Sequence, residues 1–304
     1  MPQQLRSLAA KRGSRLGVVF AVLLISLVGC GSALAHSPPP SLNASTRERP
    51  VTPQPLGVPG HWQLVLNSNF DGTSLDTQIW RPQWFSTGRR ITGPINQHEL
   101  ACYNPANITF PGNGAMNLTV THLPLSCSGG VHPYTGAIVS TNPQDGRKSG
   151  GFQYTYGVLQ AKIDVPTSSG RIANWPAFMT LGHNWPVTGE DDLLEGVAGT
   201  VCSRFHSPFN PLVGLGGCDP GFKSGWHVVT ANWAPGSVTW YYDGAPAYHE
   251  TEGVTSAPMY IVLVNTVSEK WADLAKPATV KVAYVRVWQP AGPRASHPEY
   301  GYSF

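Results

Sequence analysis

The chain of 304 residues is long enough for one large β domain or two small ones. Charged residues make up only 12%, about half of the usual share, whereas 33 Gly, 28 Pro and 10 Trp give a turn-rich, aromatic-rich composition. The formal net charge of +3 includes four basic residues in positions 1–35, a segment without acids, so the remainder carries −1. A near-neutral body lacks the basic surface that nucleic-acid binding requires, and we expect no nucleic-acid partner.

The first 35 residues have the pattern of an export signal, in which a basic start precedes an apolar run from Leu16 to Val28. Two processing sites compete within it. Ala33-Leu34-Ala35 is a cleavage site of the A-x-A type and would make His36 the mature N-terminus. Leu27-Val28-Gly29-Cys30 resembles a bacterial lipobox, in which a lipidated Cys30 attaches the protein to a membrane. Both alternatives predict a secreted protein, and the second also predicts a lipoprotein at the cell surface.

The five cysteines divide into one in the export signal and four in the body of the chain. An exported chain reaches an oxidising compartment, where the four body cysteines can form two disulfides and leave Cys30 spare. That even count slightly favours lipidation of Cys30. We predict the disulfides Cys102–Cys127 and Cys202–Cys218, because each cysteine is then paired with its nearest neighbour in sequence.

Composition divides the chain into four parts. Residues 1–35 form the export signal, and residues 36–60 are proline-rich with few apolar side chains, which predicts an extended linker. Residues 61–290 carry the strand pattern of one domain without an internal repeat. Residues 291–304 form a C-terminal tail that contains two further prolines.

Short runs of β-forming residues alternate with turn residues throughout positions 61–290. Leu159, Ala161 and Ile163 alternate with polar residues, which predicts a strand with one buried face. No run has the periodicity of a helix, and many short strands separated by turns predict an all-β sandwich or barrel. The ten predicted strands are Trp62–Leu66, Ala115–His122, Ala137–Thr141, Phe152–Val165, Trp175–Thr180, Glu190–Glu195, Trp226–Trp233, Val238–Tyr242, Met259–Asn265 and Val280–Trp288.

One predicted strand carries three carboxylates in the pattern E-x-D-x-x-E, which begins at Glu190. Side chains of a strand alternate between its two faces, so Glu190 and Asp192 share a face. Strict alternation would place Glu195 on the opposite face. A β-bulge at Leu193-Leu194 adds one residue and returns Glu195 to the face of the other two.

Three carboxylates on one strand face repel one another, so at least one of them should hold its proton near neutral pH. A protonated acid beside an ionised carboxylate is the pair that cleaves glycosidic bonds. The alternative interpretation is an acidic strand in contact with solvent, because the pattern alone would occur by chance in about one chain of this length in twenty. The apolar, aromatic-rich surroundings favour the catalytic interpretation.

The motif and its flanking segments together resemble glycoside hydrolase family 16. The catalytic region of that family resembles Trp175-Pro176-Ala177-Phe178, Trp185-Pro186 and Gly189–Glu195, in this order. Ordered matches continue on both sides and cover residues 62–290. They are Phe70-Asp71-Gly72 with Trp80, Tyr156-Gly157, Trp233-Ala234-Pro235-Gly236, Trp240-Tyr241-Tyr242-Asp243-Gly244, Pro258-Met259-Tyr260 and Tyr284–Gln289.

The resemblance implies a concanavalin-like β-jelly roll, in which two curved antiparallel sheets form a sandwich and the acidic strand lies on the floor of a cleft. It implies a retaining endo-β-glycosidase of the laminarinase-like branch, which hydrolyses β-1,3- or β-1,3-1,4-glucan through a glycosyl-enzyme intermediate. By position, Glu190 is the nucleophile, Glu195 is the acid/base, and Asp192 is the carboxylate that orients the nucleophile. A polysaccharide is the expected partner, and we expect a monomer.

Five further residues are candidates for binding the glycan. Trp175, Trp185 and Trp271 can stack on the apolar face of a sugar ring, with core packing as the alternative for each. His206 lies where the family often places a histidine that contacts substrate, with an ordinary surface histidine as the alternative. Asn265 can hydrogen-bond sugar hydroxyls, and a turn or sheet role is its alternative.

The chain departs from the family pattern at the cleft and at the family's calcium site. Met179 stands where a Trp is usual, which alters one wall of the cleft, and Ala137 stands where an Arg is common. The calcium site would use Asn69 and Ala283, neither of which is a carboxylate, whereas calcium prefers carboxylate oxygens. We therefore expect no cofactor and no metal ion at the active site, and structural calcium is disfavoured.

Two other functions stay open at this point. The same chemistry could act on another β-glycan, such as a galactan or agarose, or could transfer the sugar instead of hydrolysing the bond. A non-catalytic jelly roll that binds glycans belongs to a different class, and three mutually repelling acids argue against it.

Overall fold

The computed structural model describes residues 52–83, 91–144, 149–269 and 278–292. Within these ranges the protein is almost entirely β-structure, and its one helical turn is the 3-10 helix Pro105–Asn107. The strands are β1 (Trp62–Asn69), β2 (Ala101–Tyr103), β3 (Ile108–Thr109), β4 (Met116–Val120), β5 (Leu125–Cys127), β6 (Gly130–His132), β7 (Tyr134–Ser140), β8 (Gln153–Tyr154), β9 (Gly157–Asp164), β10 (Thr167–Ser168), β11 (Arg171–Ile172), β12 (Trp175–Gly182), β13 (Glu190–Val197), β14 (Thr200–His206), β15 (Leu215–Cys218), β16 (Trp226–Ala234), β17 (Ser237–Tyr242), β18 (Ala245–Glu250), β19 (Met259–Thr266) and β20 (Ala278–Pro290).

Two large sheets contain most of these strands and pack face to face. The first, which we call the outer sheet, has the order β18-β17-β16-β9-β20-β4-β3, and β1 also pairs with β20. The second, which we call the cleft sheet, has the order β15-β14-β13-β12-β19-β7-β2, and β8 also pairs with β19. The pairs are antiparallel except for β2 with β7. This arrangement confirms the predicted jelly-roll sandwich.

The core lies between the two sheets and is filled by alternate side chains of each strand. In β9, Leu159, Ala161 and Ile163 face this core, as the sequence pattern predicts. The largest buried side chains include Trp233 and Trp240 of the outer sheet. Because burying one large apolar side chain stabilises the fold by about 1.5–3 kcal/mol, the packed sheets provide a rigid base for the cleft.

Residues 53–60 pack on the outer sheet, so the prediction that they belong to an extended linker is wrong. Val58 is buried with Trp288 in a small apolar cluster. The Trp288 indole N–H also donates to the Pro53 carbonyl oxygen at 2.7 Å. The folded domain therefore begins at Pro53, and residues 36–51 lie outside the described part of the chain.

Both predicted disulfides are present. Cys102–Cys127 joins β2 to β5. Cys202–Cys218 joins β14 to the edge strand β15, where the two cysteines are direct partners in the register. The two disulfides close sequence separations of 25 and 16 residues, and a crosslink of this size contributes about 3 kcal/mol. The Cys202–Cys218 disulfide holds the edge strand β15 against β14, which is the neighbour of β13.

Several predicted features lie outside the described residues. They are the export signal 1–35 with Cys30, most of the linker, Trp271, and the tail from residue 293. In the part of the chain that the structure describes, no helix has the length and apolar character needed to cross a membrane.

Shortening Val58 to Ala should lower the free energy of unfolding by about 1–2 kcal/mol, because the change removes two buried methyl groups. Val65→Ala is the matched control, since Val65 is 39% exposed whereas Val58 is 6% exposed. Chemical denaturation of the two variants measures the difference. Equal, small losses in both variants would show that residues 53–60 do not belong to the folded domain.

Candidate active site

A β-bulge in β13 lies where the acidic motif predicts it. Between Asp192 and Glu195, β13 advances three residues while its partner β14 advances only two, from Arg204 to Cys202. The register with β12 on the other side shifts at the same place. The extra residue reverses the alternation of faces between Asp192 and Glu195.

The bulge gives β13 a core face and a cleft face. Leu193-Leu194 are both buried in the core between the sheets, although strict alternation would place them on opposite faces. Asp191 is buried as well. Glu190, Asp192 and Glu195 line the cleft on the other face. The three carboxylates of the motif thus line one surface, and a pair of carboxyl groups beside the scissile bond is what glycosidic cleavage requires.

Two indole rings hold the two glutamates. The Trp185 N–H donates to Glu190 Oε2 at 2.6 Å, and the Trp175 N–H donates to Glu195 Oε1 at 3.0 Å. Trp175 is the first residue of β12, and Trp185 lies in the loop between β12 and β13. Because each indole donates to its carboxyl group from a separate segment, the two glutamates are fixed independently.

His206 supports Asp192 from the neighbouring strand β14. Its Nε2 lies 3.1 Å from Asp192 Oδ2, and its Nδ1 lies 3.0 Å from the Pro211 carbonyl oxygen. Burial alone would lower the pKa of His206, but the hydrogen bond and charge of Asp192 outweigh burial and raise this pKa to about 9. At neutral pH, His206 is therefore an imidazolium that donates from both ring nitrogens.

The two glutamates titrate close to neutral pH. Burial, followed by the negative charge of Asp192, raises the pKa of Glu190 to about 8 and that of Glu195 to about 7. The His206 cation acts in the opposite direction on both. Because the charge of each group affects the pKa of the other, the two protons leave in two steps that belong to the pair and not to either residue alone. Near neutral pH the pair can hold a single proton, so that one carboxyl is an acid while the other is an anion.

The cleft beside the three carboxylates has a volume of about 430 Å³ and an apolar floor. Ala177, Met179 and Leu181 of β12 form one half of this floor, and Tyr260 and Val264 of β19 form the other. The departure from the family pattern at Met179 therefore changes the surface on which a ligand would lie.

Two predicted binding residues, Trp175 and Trp185, line the cleft. The Trp185 side chain is 46% exposed and leaves ring surface free for a ligand. His206 is not among the described residues that line the cleft, and it reaches the site through Asp192 instead. Stacking of a sugar on either tryptophan stays a prediction.

The assignment of Asn265 as a glycan-binding residue is wrong. Asn265 is fully buried, and its side-chain N–H groups donate to the carbonyl oxygens of Leu118 and Ala278 in the outer sheet. Side chains alternate along β19, so the next residue, Thr266, is the one that faces the cleft. Asn265 ties the two sheets together behind the cleft.

Sequence reasoning missed several polar residues of the cleft, namely Asn96, Glu99, Tyr103, His183 and Thr266. They lie far from the acidic motif in sequence, and only the sheet order brings them beside it. One signal was available for Glu99, because it is an isolated acid directly before an apolar strand in a chain that is poor in charge.

The predicted calcium positions do not fit a calcium ion. Asn69 Oδ1 accepts a hydrogen bond from the Arg286 guanidinium at 3.1 Å, and a guanidinium at this distance would repel a divalent cation. The Ala283 carbonyl oxygen accepts the Phe70 N–H at 3.1 Å. Within the described ranges, no group of three or more His, Cys, Asp or Glu side chains could hold a metal ion.

Comparison with known proteins extends the likeness over most of the chain. No family model matches the sequence. A β-glucanase of Rhodothermus marinus is 27% identical over 268 residues, which cover 75% of this chain and 86% of the relative. The catalytic domain of an endo-1,3-β-glucanase (laminarinase) of Thermotoga petrophila superposes with a TM-score of 0.64 at 24% identity, covering 77% of this chain and 100% of the other.

The description of a second similar structure names its family. SCLam, described as a non-specific endo-β-1,3(4)-glucanase from family GH16, superposes with a TM-score of 0.62 at 19% identity. The superposition covers 78% of this chain and 95% of SCLam. At these identities the structural likeness shows the jelly-roll fold, and the chemistry depends on the residues in the cleft.

Asp191, on the core face of β13, is a buried acid. It is 1% exposed, and its Oδ1 accepts the Trp240 indole N–H at 2.7 Å. Its Oδ2 has no hydrogen-bond partner among the described residues. Burial raises the pKa of Asp191 to about 8, so the side chain is mostly protonated in the folded protein at neutral pH.

The raised pKa of Asp191 makes stability depend on pH. Between pH 3.8, its ordinary pKa, and about 8, the folded state holds a proton that the unfolded state has lost, so stability falls as pH rises. Asp191→Asn keeps the acceptor for Trp240 and cannot ionise. As pH rises over this range, the variant should therefore lose less unfolding free energy than the unchanged protein, by on the order of a few kcal/mol.

Denaturation curves measured from pH 4 to about 8 test this prediction. Asp71→Asn, which makes the same change at an exposed position, is the control and should keep the pH dependence of the unchanged protein. Parallel pH dependences for Asp191→Asn and the unchanged protein would contradict the prediction.

Proposed function

We infer that this chain is a laminarinase-like endo-β-glucanase of glycoside hydrolase family 16, which hydrolyses β-1,3- or β-1,3-1,4-glucan with retention of configuration. The cleft face of β13, where Glu190, Asp192 and Glu195 stand together beside aromatic rings, carries this inference. The names of the similar proteins, which are β-glucanases and laminarinases, support the same substrate class.

In the first step, Glu190 is the nucleophile and Glu195 is the acid. The ionised Glu190 carboxylate attacks the anomeric carbon and forms an ester bond to the sugar, while the glycosidic bond breaks. Glu195 gives its proton to the oxygen that leaves with the second sugar. The substrate decides which carboxyl group keeps the shared proton, because the leaving oxygen needs a donor and the anomeric carbon needs an anion.

In the second step, Glu195 acts as a base. Now ionised, it takes a proton from a water molecule whose oxygen attacks the anomeric carbon, and the ester bond to Glu190 breaks. Glu195 ends protonated and Glu190 ends ionised, so the site returns to its starting state. Two inversions at the anomeric carbon give net retention.

Asp192 and His206 position and tune the two glutamates. Burial and, after it, the Asp192 charge raise the pKa of both and keep a proton on the pair near neutral pH. The His206 imidazolium limits that effect and holds Asp192 through its Nε2–H. His206 therefore acts on the reaction through Asp192, and we assign it no contact with the glycan.

The cleft fits an internal segment of a sugar chain. Its apolar floor can contact the C–H faces of sugar rings, and the Trp185 and Trp175 rings add aromatic surface beside the reacting groups. Met179 favours a second candidate, which is the same reaction, or transfer, on another β-glycan of the galactan or agarose type. A flexible thioether on the floor replaces a flat ring and changes which sugar shape fits.

Two disulfides and the glucanase relatives are consistent with an extracellular protein. We propose that the chain is exported by residues 1–35 and acts on a polysaccharide as a monomer. Lipidation of Cys30 and cleavage before His36 are alternatives that stay predictions, because both sites lie outside the described residues.

The purified protein should release oligosaccharides from laminarin first, then from lichenan, in a reducing-sugar assay that also includes agarose, galactan, carrageenan and xyloglucan. Glu190→Gln should lower turnover by several orders of magnitude, because no other group can form the ester. Glu252→Gln, at an exposed position, is the control and should keep full activity. Release from galactan or agarose alone would favour the second candidate, and binding without release would favour a glycan-binding module.

Glu195→Ala should recover part of its activity when azide is added with an activated aryl glycoside, because azide attacks the glycosyl-enzyme without needing a base. The expected product is the β-glycosyl azide, which follows from two inversions. Nuclear magnetic resonance of the product identifies the anomer. An α-glycosyl azide would instead indicate direct displacement, without an ester to Glu190.

His206→Gln should move the pH profile of kcat/KM to higher pH. The imidazolium favours ionised carboxylates, so its removal raises the pKa of both Glu190 and Glu195. Activity is lost at low pH when Glu190 is protonated and at high pH when Glu195 is ionised, so both limbs of the profile should shift upward. An unchanged profile, or a shift to lower pH, would show that His206 does not lower the pKa values of Glu190 and Glu195.

A further inference from the structure

One cation near the carboxylates, Arg204 of β14, has no part in the mechanism described above. Arg204 is the direct partner of Asp192 in the register, and Cys202 is the partner of Glu195. Direct partners in an antiparallel pair place their side chains on the same face, so Arg204 stands on the cleft face of the sheet. It is half-buried and is not among the described residues that line the cleft, so it acts on the reaction through its neighbours.

Two hydrogen bonds hold the guanidinium group of Arg204 in place. Its Nη1–H donates to the Val213 carbonyl oxygen at 3.1 Å, and its Nη2–H donates to Cys218 Sγ at 3.2 Å. Cys218 is the direct partner of Cys202 and is joined to it by a disulfide. Because Cys202 is in turn the partner of Glu195, the Nη2 group contacts the row of the sheet that contains Glu195.

The loop between β14 and β15 packs closely against Arg204. A Cβ atom at Gly214 would lie 3.0 Å from Arg204 Cβ and 2.8 Å from His206 Nε2, and Gly214 has a φ of +70°. Both the close approach and the positive φ require glycine at this position. The Pro211 carbonyl oxygen of the same loop lies 3.0 Å from His206 Nδ1. The loop therefore fixes both cations of β14 relative to the carboxylates of β13.

Glu195 needs two protonation states during one reaction cycle. It gives a proton in the first step and must be ionised to accept one from water in the second. Burial, followed by the charge of Asp192, raises its pKa and suits the first step. The hydrogen bond from Trp175 and the charges of His206 and Arg204 act in the opposite direction and favour the carboxylate of the second step.

The two cations differ in what they do for the second step. Arginine stays protonated throughout the working pH range, whereas His206 has a pKa of about 9 and also acts on Glu190. Once Glu190 is an ester, its own negative charge is gone. The charged groups around Glu195 in the described structure are then Asp192 of β13, Arg204 and His206 of β14, and Glu99 elsewhere in the cleft, while β12 carries no charged side chain.

We propose that Arg204 is a positioning residue for the second step, in which its fixed positive charge favours the ionised Glu195 carboxylate that accepts a proton from water. This role deepens the glycosidase mechanism proposed above and rests on it. Val213 and Cys218 hold the guanidinium group, so the loop between β14 and β15 and the Cys202–Cys218 disulfide contribute to the reaction by fixing the position of this charge.

The test uses 2,4-dinitrophenyl β-laminaribioside, whose leaving group departs without a proton, so that the second step limits kcat. A rapid burst of dinitrophenolate identifies this regime, and kcat then falls at low pH as Glu195 gains a proton. Arg204→Gln and Arg204→Met both remove the charge and raise the pKa of Glu195. Each should move the acidic limb of kcat upward by about half a pH unit or more, which lowers kcat about threefold on the acidic side. Arg204→Lys keeps a cation and should keep the limb close to that of the unchanged protein.

Arg286→Gln is the matched control, because it removes an arginine that is also held by two hydrogen bonds, to Asn67 and Asn69, but lies in the outer sheet. Its acidic limb should stay in place. A merely structural role for Arg204 would lower kcat by the same factor at every pH, in the Lys variant as in the two neutral ones.

The outcomes separate the role of Arg204 from the glucanase assignment. An unmoved acidic limb in folded Arg204→Gln or Arg204→Met, with laminarin still cleaved by the unchanged protein, would overturn the role of Arg204 alone. No release of dinitrophenolate and no release from laminarin by the unchanged protein would overturn both proposals.

Discussion

One extra residue in β13 places Glu195 on the face that already carries Glu190 and Asp192, and the surrounding structure compensates for the repulsion that results. Two indoles, Trp185 and Trp175, donate to the glutamates, and the His206 imidazolium faces Asp192. These donors come from a loop and two different strands. The three carboxylates therefore have their donors only when β12, β13 and β14 are paired.

Local sequence pattern predicted much of the fold and the centre of the site. Nine of the ten predicted strands are present, although several begin or end a few residues away, whereas the predicted strand Phe152–Val165 is divided into β8 and β9, which belong to different sheets. Alternation in β9 identified its core face, and the spacing of the acids required the bulge that the structure has. These features depend on neighbouring residues of one strand, where the two-residue period of side chains is a reliable guide.

Features that depend on sheet order could not be predicted from pattern. The strand β14 was missed, and with it the reason that His206 faces Asp192 instead of the glycan. Asn265 was assigned to the cleft because the face of β19 was not fixed by its apolar sequence, in which both faces are buried. Glu99 and Glu195 line the same cleft only because strands far apart in the chain are neighbours in the sheet, and no local signal encodes that arrangement.

The position of β20 has a consequence for the order in which the molecule can assemble. This last described strand lies inside the outer sheet, where it pairs with β9, β1 and β4. Its Arg286 donates to Asn67 of β1, 219 residues earlier. Ribosomal synthesis delivers β1 long before β20, so the outer sheet stays open until β20 has been made. Closure of such distant pairs is slow, so β1, β4 and β9 wait without a finished core until β20 pairs with them.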